Sequence, residues 1–451
     1  MFILLPETEK AKKNMMYKKS DSWLLERLKN RRIIQLYANI SASNPLIKKV
    51  EIYCWNKFGA KLLSIIYLLI NKAKSSFSRA DKGISKIIYN PVKINFNKRK
   101  DLGSIYPNAA YKTNDERINY LGGCMILKEA NAYGKTNLHF TKDKCYYHEL
   151  LDINKDLLSE ELHAKLIVIR RPFRELIIKT GLAEIDNYKP IILEEAAPFT
   201  DACSSNYAHF MTEVLPRISF FCRQIEFRNI PIIVDHGIHS NLYKAIEYIA
   251  QDRTIYLIKE TQSVFIQKAI ITPKFGYVPW GTHRNNASTP RHGIFNTNEL
   301  SETRNLLLNN PTMYDNSIIS SKKLYIPRFS TTRVLINQKE VIKTLEKENF
   351  IVYDPCHHTL ENQIRTFEQA SIIVAETGAG ITNAIFCREG TRLIVLMGTH
   401  KNMIYNYWSN MLNGLDINVT VLRCQIKDSR SLGIHGNYLA DLEKLKELTA
   451  T

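Results

Sequence analysis

From about residue 161 onward, short apolar runs of strand length alternate with stretches of helical spacing. That alternation leaves few folds open, because strands separated by helical crossovers form layered α/β sheets. Residues 166–169, 191–193, 230–234 and 269–271 read as strands, and 206–222 and 242–250 as helices. A polar stretch at 281–291 has the texture of a loop, and 300–308 reads as a helix stopped by Asn309, Asn310 and Pro311. The second half repeats the pattern more clearly. Strands are expected at 324–326, 351–353, 372–375, 393–397 and 419–422. Helices are expected at 338–349, 360–370, 403–412 and 441–448. Five strands with helical crossovers predict a Rossmann-like unit, and no repeat of 20–50 residues suggests a solenoid. The expected layout is an extension at 1–100, an α/β domain at 101–310, a Rossmann-like domain at 311–435 and a terminal helix at 436–451. Residues 101–160 are of mixed texture and predict little. Two such units in tandem usually bind ligand in the cleft between them.

Charge is divided unevenly. Residues 1–100 hold 22 Lys+Arg against 6 Asp+Glu, a net of +16, whereas the other 351 residues hold 40 against 38. The excess lies on the N-terminal segment, which reads as basic and mainly helical, with packing positions at Trp23, Leu24, Leu25, Ile33 and Ile34. The apolar run 62–70 is flanked there by Lys57, Lys61, Lys72 and Lys74. Spanning a bilayer takes about 20 apolar residues, so this run is too short. It suits a bilayer interface carrying anionic lipid, or a plain amphipathic helix packed on the body. A basic arm on nucleic acid is the third reading, but the segment has no zinc knuckle, RNP-like pattern or Arg-rich run. The first residues are apolar for too few positions to read as a secretory signal. The eight cysteines (Cys54, Cys124, Cys145, Cys203, Cys222, Cys356, Cys387 and Cys424) contain no C-x-x-C pair. Reduced thiols in a cytoplasmic protein are therefore expected.

Three stretches can carry chemistry. In residues 371–383, a buried strand ends in Gly378-Ala379-Gly380, and a helix is expected to open after it. Glycines let the backbone approach a ligand, free N–H groups at a helix start favour an anion, and Thr382 and Asn383 add polar side chains. The alternative is a tight strand–helix turn with no ligand. The dinucleotide fingerprint is not met, because Asn383 stands at the third glycine position and no acid follows at the required distance. Next, Arg328 follows the strand at 324–326, and Arg333 and Asn337 precede the following helix. Two guanidiniums at the carboxyl edge of such a sheet suit a pyrophosphate; the alternative is two solvated surface arginines. Finally, His209 and Glu213 share one helix face at i, i+4, with Ser205 or Asn206 as cap. A carboxylate can orient an imidazole as a general base, though a lone pair of this kind is more often structural. No Asp-x-Asp, phosphate loop or nucleophile elbow occurs. His236, His239, His357 and His358 lack further ligands at zinc spacing, so no metal site is expected.

Taken in order, these elements resemble glycosyltransferase family 61. They are Asn206-Tyr207-Ala208-His209-Phe210; Glu213-Val214-Leu215-Pro216-Arg217; Tyr325, Arg328, Arg333 and Asn337; Leu360, Gln363, Ile364 and Phe367; and Gly378 to Asn383. The resemblance covers about 190–425. It implies a GT-B-like α/β fold: two Rossmann-like domains facing a cleft, here preceded by the basic helical extension. It also implies an inverting, metal-independent transfer of sugar from a nucleoside-diphosphate donor to a polysaccharide or lipid-linked saccharide, as in bacterial capsule synthesis. By that resemblance His209 is the base, oriented by Glu213, with Asp201 the alternative base. Arg328, Arg333, Asn337, Gly378, Ala379, Gly380, Thr382 and Asn383 would hold the donor, and no cofactor is implied. Two positions depart from the family pattern: Thr377 stands where a histidine is usual, and Val395 where an acid is common. They motivate a second reading, an inactive nucleotide-binding scaffold of a polysaccharide assembly complex. Nucleic-acid binding, resting on charge alone, is a third. If the basic segment holds the protein on the cytoplasmic membrane face, vesicles with anionic lipid should float the full chain and leave a chain lacking 1–100 behind. Equal recovery of both defeats that expectation.

Overall fold

The protein is described by a computed structural model. It describes residues 2–4, 86–89, 118–121, 124–137, 139–140, 144–147, 191–259, 262–277, 293–310, 322–330, 332–400, 403, 405–427 and 435–450. The expected helical extension, apart from two short strands, lies outside these residues, as do the strand at 166–169 and the loop at 281–291. Among the described residues no helix is long and apolar enough to cross a membrane.

The first sheet contains β1 (Phe2–Leu4), β2 (Lys86–Tyr89), β3 (Ile118–Leu121), β4 (Cys124–Tyr133), β5 (His139–Phe140), β6 (Lys144–Tyr147), β7 (Ile191–Pro198), β8 (Ile232–Asp235), β9 (Ile255–Ile258) and β10 (Ser263–Ile271). Its order is β1-β9-β8-β7-β10-β4-β5-β6-β2, with β3 beside β4. The five strands from β1 to β10 are parallel to their neighbours. Beyond them β4 and β5 pair antiparallel. Residues 101–160, of mixed texture in sequence, thus supply an antiparallel flank. A two-stranded pair follows, β11 (Gly276–Tyr277) with β12 (Ile294–Phe295). The second sheet holds β13 (Lys323–Ile326), β14 (Ile351–Val352), β15 (Ile372–Glu376), β16 (Arg392–Gly398), β17 (Asn418–Ile426) and β18 (Tyr438–Leu439). Its order is β14-β13-β15-β16-β17-β18, parallel except for the last pair.

The helices are α1 (Tyr207–His209), α2 (Leu215–Arg223), α3 (Ser240–Ala250), α4 (Thr297–Leu308), α5 (Gln338–Lys347), α6 (Leu360–Gln369), α7 (Tyr407–Leu412) and α8 (Leu442–Ala450). Two of them start on a clear cap: the side chains of Asn296 and Thr359 accept from Glu299 N and Asn362 N, satisfying donors a helix start leaves open.

The strands read as continuous apolar runs because both faces are covered. Side chains alternate across the sheets. Ile373, Ala375, Leu393 and Val395 join one core cluster, while Ile372, Val374, Ile394 and Leu396 join another on the opposite face. The first cluster does not stop at the second sheet. It also contains Phe210, Leu215, Leu242 and Leu300 from the first half. The two halves therefore share one apolar core. This qualifies the expected picture of two units separated by a cleft: helices packed between the sheets join them.

Gly276 fixes one close approach in this arrangement. A Cβ there would lie 2.3 Å from the Thr212 carbonyl oxygen and 3.0 Å from Glu213 Cγ. Gly276→Ala should cost about 1–3 kcal/mol, the usual scale for overpacking, in urea unfolding. An unchanged midpoint would show that the two segments part freely.

Candidate active site

The front of the site is built by an interrupted helix. Asn206 caps α1, its side-chain oxygen accepting from Ala208 N at 3.0 Å. Pro216, in the first turn of α2, has no N–H to give the carbonyl of Thr212 four residues back, and its ring crowds that carbonyl. The chain widens there into a π turn at Phe210–Val214, with Leu215 N bonding Phe210 O. Such turns inside helices often lie at functional positions. Here the turn carries Glu213, and Gly276 packs on its Thr212 carbonyl.

His209 Nδ1 lies 2.5 Å from Glu213 Oε1. The imidazole is 22% exposed and the carboxylate 6%. The second Glu213 oxygen lies 3.4 Å from Lys274 Nζ, itself buried. Burial works to lower the His209 pKa, but Glu213, by charge and hydrogen bond, outweighs it, and Asp201 adds to the rise. Lys274 pulls the other way. With Nδ1–H donating to Glu213, Nε2 keeps a free lone pair.

Asp201 is buried and engaged differently. Its Oδ1 accepts from Cys203 N at 2.7 Å, and its Oδ2 lies 3.4 Å from Asn137 Nδ2. Its own N–H donates to Asp235 Oδ2 at 2.9 Å, while Lys135 N donates to Asp235 Oδ1 at 2.6 Å. Burial pushes the Asp235 carboxyl up to about 6, against those amides and the Lys135 charge. Asp201 thus braces the turn before α1, and His209 is the more open of the two groups read as bases.

At the rear, the sheet order reverses between β13 and β15, the point where doubly wound sheets bind ligands beyond their carboxyl ends. Arg328 leaves β13 there and Gly378 leaves β15. Arg328 NH1 donates to Thr377 O at 3.3 Å, and a Cβ on Gly378 would lie 2.8 Å from the same nitrogen. Arg333 has φ +58°. Burial lowers its pKa to about 10, and repulsion from Arg328 adds to this. Among the described residues neither guanidinium is in a salt bridge, and the Nε of each is buried without a hydrogen-bond partner.

The glycine motif divides. Gly378, Ala379 and Gly380 are half-buried at the surface, whereas Thr382 and Asn383 are buried. The expected helix is a 3-10 helix, Ala379–Phe386. Asn383 Oδ1 accepts from Tyr207 OH at 2.6 Å, and its Nδ2 donates to Gln363 Oε1 at 2.7 Å. Gln363 Nε2 in turn bonds Pro355 O at 2.6 Å. Asn383, expected at the donor, therefore ties the two halves together. Asn337 is engaged as well: its amide donates to Ala440 O at 2.9 Å and accepts from Ala440 N at 3.0 Å, fastening the C-terminal segment. Tyr207 lies two residues before His209, so this tie sets the imidazole near the glycine turn.

Sequence reading passed over Lys274, Asp235 and Glu376. Each closes or follows an apolar strand, which is the signal they carry. Glu376, ending β15, takes the Tyr325 hydroxyl at 2.5 Å and Gln338 Nε2 at 2.6 Å. Burial raises its pKa, partly offset by these bonds and by Arg328. Trp408 Nε1 donates to Thr377 Oγ1 at 3.4 Å, so the threonine before the glycines is fixed by α7. Among the described residues no group of three His, Cys, Asp or Glu side chains could hold a metal ion.

An imidazole paired to a carboxylate, on a helix tied to a glycine turn that packs on the Arg328 guanidinium, is equipment for group transfer. Residues 207–394 match the glycosyltransferase 61 family model. The match runs from α1 into β16, and it marks the protein as a glycosyltransferase. No curated relative matches it at a significant level.

The Tyr207–Asn383 tie gives a direct test. In a double-mutant cycle of Tyr207→Phe and Asn383→Ala, urea unfolding should give a coupling of about 1 kcal/mol. Additivity within about 0.3 kcal/mol would mean that the hydroxyl does not join the halves.

Proposed function

We propose that this glycosyltransferase moves a sugar from a nucleoside-diphosphate donor to a saccharide acceptor, with inversion and without a catalytic metal ion. The carrying observation is the juxtaposition of Arg328 with the Gly378 turn, joined through Asn383 and Tyr207 to the helix of His209. In this mechanism the donor diphosphate lies against Arg328, Arg333 and the half-buried backbone of 378–380. His209 Nε2 takes the proton of an acceptor hydroxyl, and the acceptor oxygen attacks the anomeric carbon. The bond to the diphosphate breaks, its electron pair leaves with the phosphate, and the guanidiniums stabilise the charge that accumulates there. Glu213 keeps Nδ1 protonated and the ring oriented. A polysaccharide or lipid-linked acceptor at the cytoplasmic membrane face, as in capsule synthesis, accords with the basic charge of residues 1–100.

A nucleotide-binding scaffold without transfer is the second reading. It is favoured by Thr377, whose hydroxyl is engaged by Trp408, and by Val395, which is fully buried.

One experiment separates the two. In thermal unfolding against UDP, GDP, ADP and their sugar conjugates, one nucleotide should raise the midpoint by mass action. Arg328→Ala with Arg333→Ala should abolish that rise. His209→Ala should keep it and lose about 10²–10⁴-fold in the release of nucleoside diphosphate from the sugar conjugate. Near-full turnover in His209→Ala removes the imidazole from the mechanism. Binding without any turnover in the unaltered protein selects the scaffold.

A further inference from the structure

Lys274 lies three residues beyond β10, and its side chain is 7% exposed. An ammonium out of water is costly unless it is paired. Its partner is Glu213 Oε2 at 3.4 Å, while Oε1 of the same carboxylate takes His209 at 2.5 Å. The two contacts come from different parts of the chain. His209 and Glu213 belong to the interrupted helix, whereas Lys274 stands in the link between β10 and β11. That link is held on both sides. Thr272 Oγ1 accepts from Arg217 Nε at 3.1 Å, and Gly276 lies against the Thr212 carbonyl. Lys274 is therefore fixed relative to the π turn.

A carboxylate beside an imidazole does two opposing things. It orients the ring, which favours catalysis, and it stabilises the imidazolium, which has no lone pair to accept a proton. The charged groups facing His209 are Glu213, Asp201 and Lys274. Those facing Glu213 include His209 and Lys274, with the Tyr407 hydroxyl of α7 nearby. Lys274 is the cation in this set that opposes the two carboxylates.

We propose that Lys274 is a positioning residue for His209: by binding the second oxygen of Glu213 it divides the charge of that carboxylate, so the ring is oriented while the pull toward imidazolium is weakened. The proposal rests on His209 being the base. Lys274 touches no reacting atom and acts through Glu213. Its removal leaves the hydrogen bond to Nδ1 in place and lets more of the carboxylate charge act on the ring. His209 then stays protonated to higher pH.

The test uses the full chain and needs no donor. Histidine ring resonances are followed by ¹H–¹⁵N NMR through a pH titration, with His209→Gln to assign the signal. Lys274→Gln should move the His209 midpoint up by about half a pH unit or more, and Lys274→Arg should leave it at the original value. Glu213→Gln with Lys274→Gln should bring it below the original value. An unmoved midpoint in Lys274→Gln overturns the proposal, as does an equal shift in Lys274→Arg. If Lys274→Gln fails to fold while the double variant folds with an unmoved midpoint, Lys274 serves the core alone and the proposal fails. Turnover by His209→Ala would instead defeat the base assignment and leave the titration result standing.

Discussion

The two halves of this protein depend on one shared apolar core, crossed by hydrogen bonds that include Asn241 to His358, Arg304 to Cys387 and a polar chain through Asn383. Burying a Phe or Leu side chain is worth about 1.5–3 kcal/mol, and the shared cluster contains many such residues from both sheets. Hydrophobic contact holds the halves together but has no direction. Direction comes from the polar chain Tyr207–Asn383–Gln363–Pro355, made of buried or half-buried groups that would be costly to leave unbonded. It fixes which helix turn faces which strand end. The proposed chemistry uses that placement.

A second constraint is local. Pro216 cannot complete the helix ladder, so the helix widens at 210–214, and the crowded carbonyl of Thr212 becomes the surface on which Gly276 lies. That contact brings Lys274 to Glu213. A missing N–H, a residue without Cβ and a buried ion pair are thus steps of one argument about where an imidazole can take a proton.

Much of the second sheet was legible in sequence. The run Ile372-Ile373-Val374-Ala375 is apolar throughout because both its faces are covered, and the strand was read almost to its ends. The helices at 338–347 and 360–369 carry apolar stripes of the right period and were read to within two residues. Arg328 could be placed at a strand end because only Pro327 separates it from β13. The flank of β3 to β6 was not legible: its strands mix polarity, and β4, which joins it to the parallel strands, pairs with β10 more than 100 residues along the chain. The burial of Thr382 and Asn383 was not legible either. Polar side chains after a glycine turn look like ligand contacts, and only packing shows that both are buried.

The sequence by itself determined the element types, the glycine turn, the paired His209 and Glu213, and the two arginines after β13. All of these follow from periodicity, caps and short-range spacing, which act over a few residues. Tertiary structure alone decided the strand order that reverses at β13 and β15, the shared core in place of an open divide, the use of Asn383 as a tie, and the arrival of Lys274 at Glu213. Each is a contact between residues tens to hundreds of positions apart. Such contacts form only where burial and hydrogen bonding offset the loss of chain entropy on bringing distant segments together.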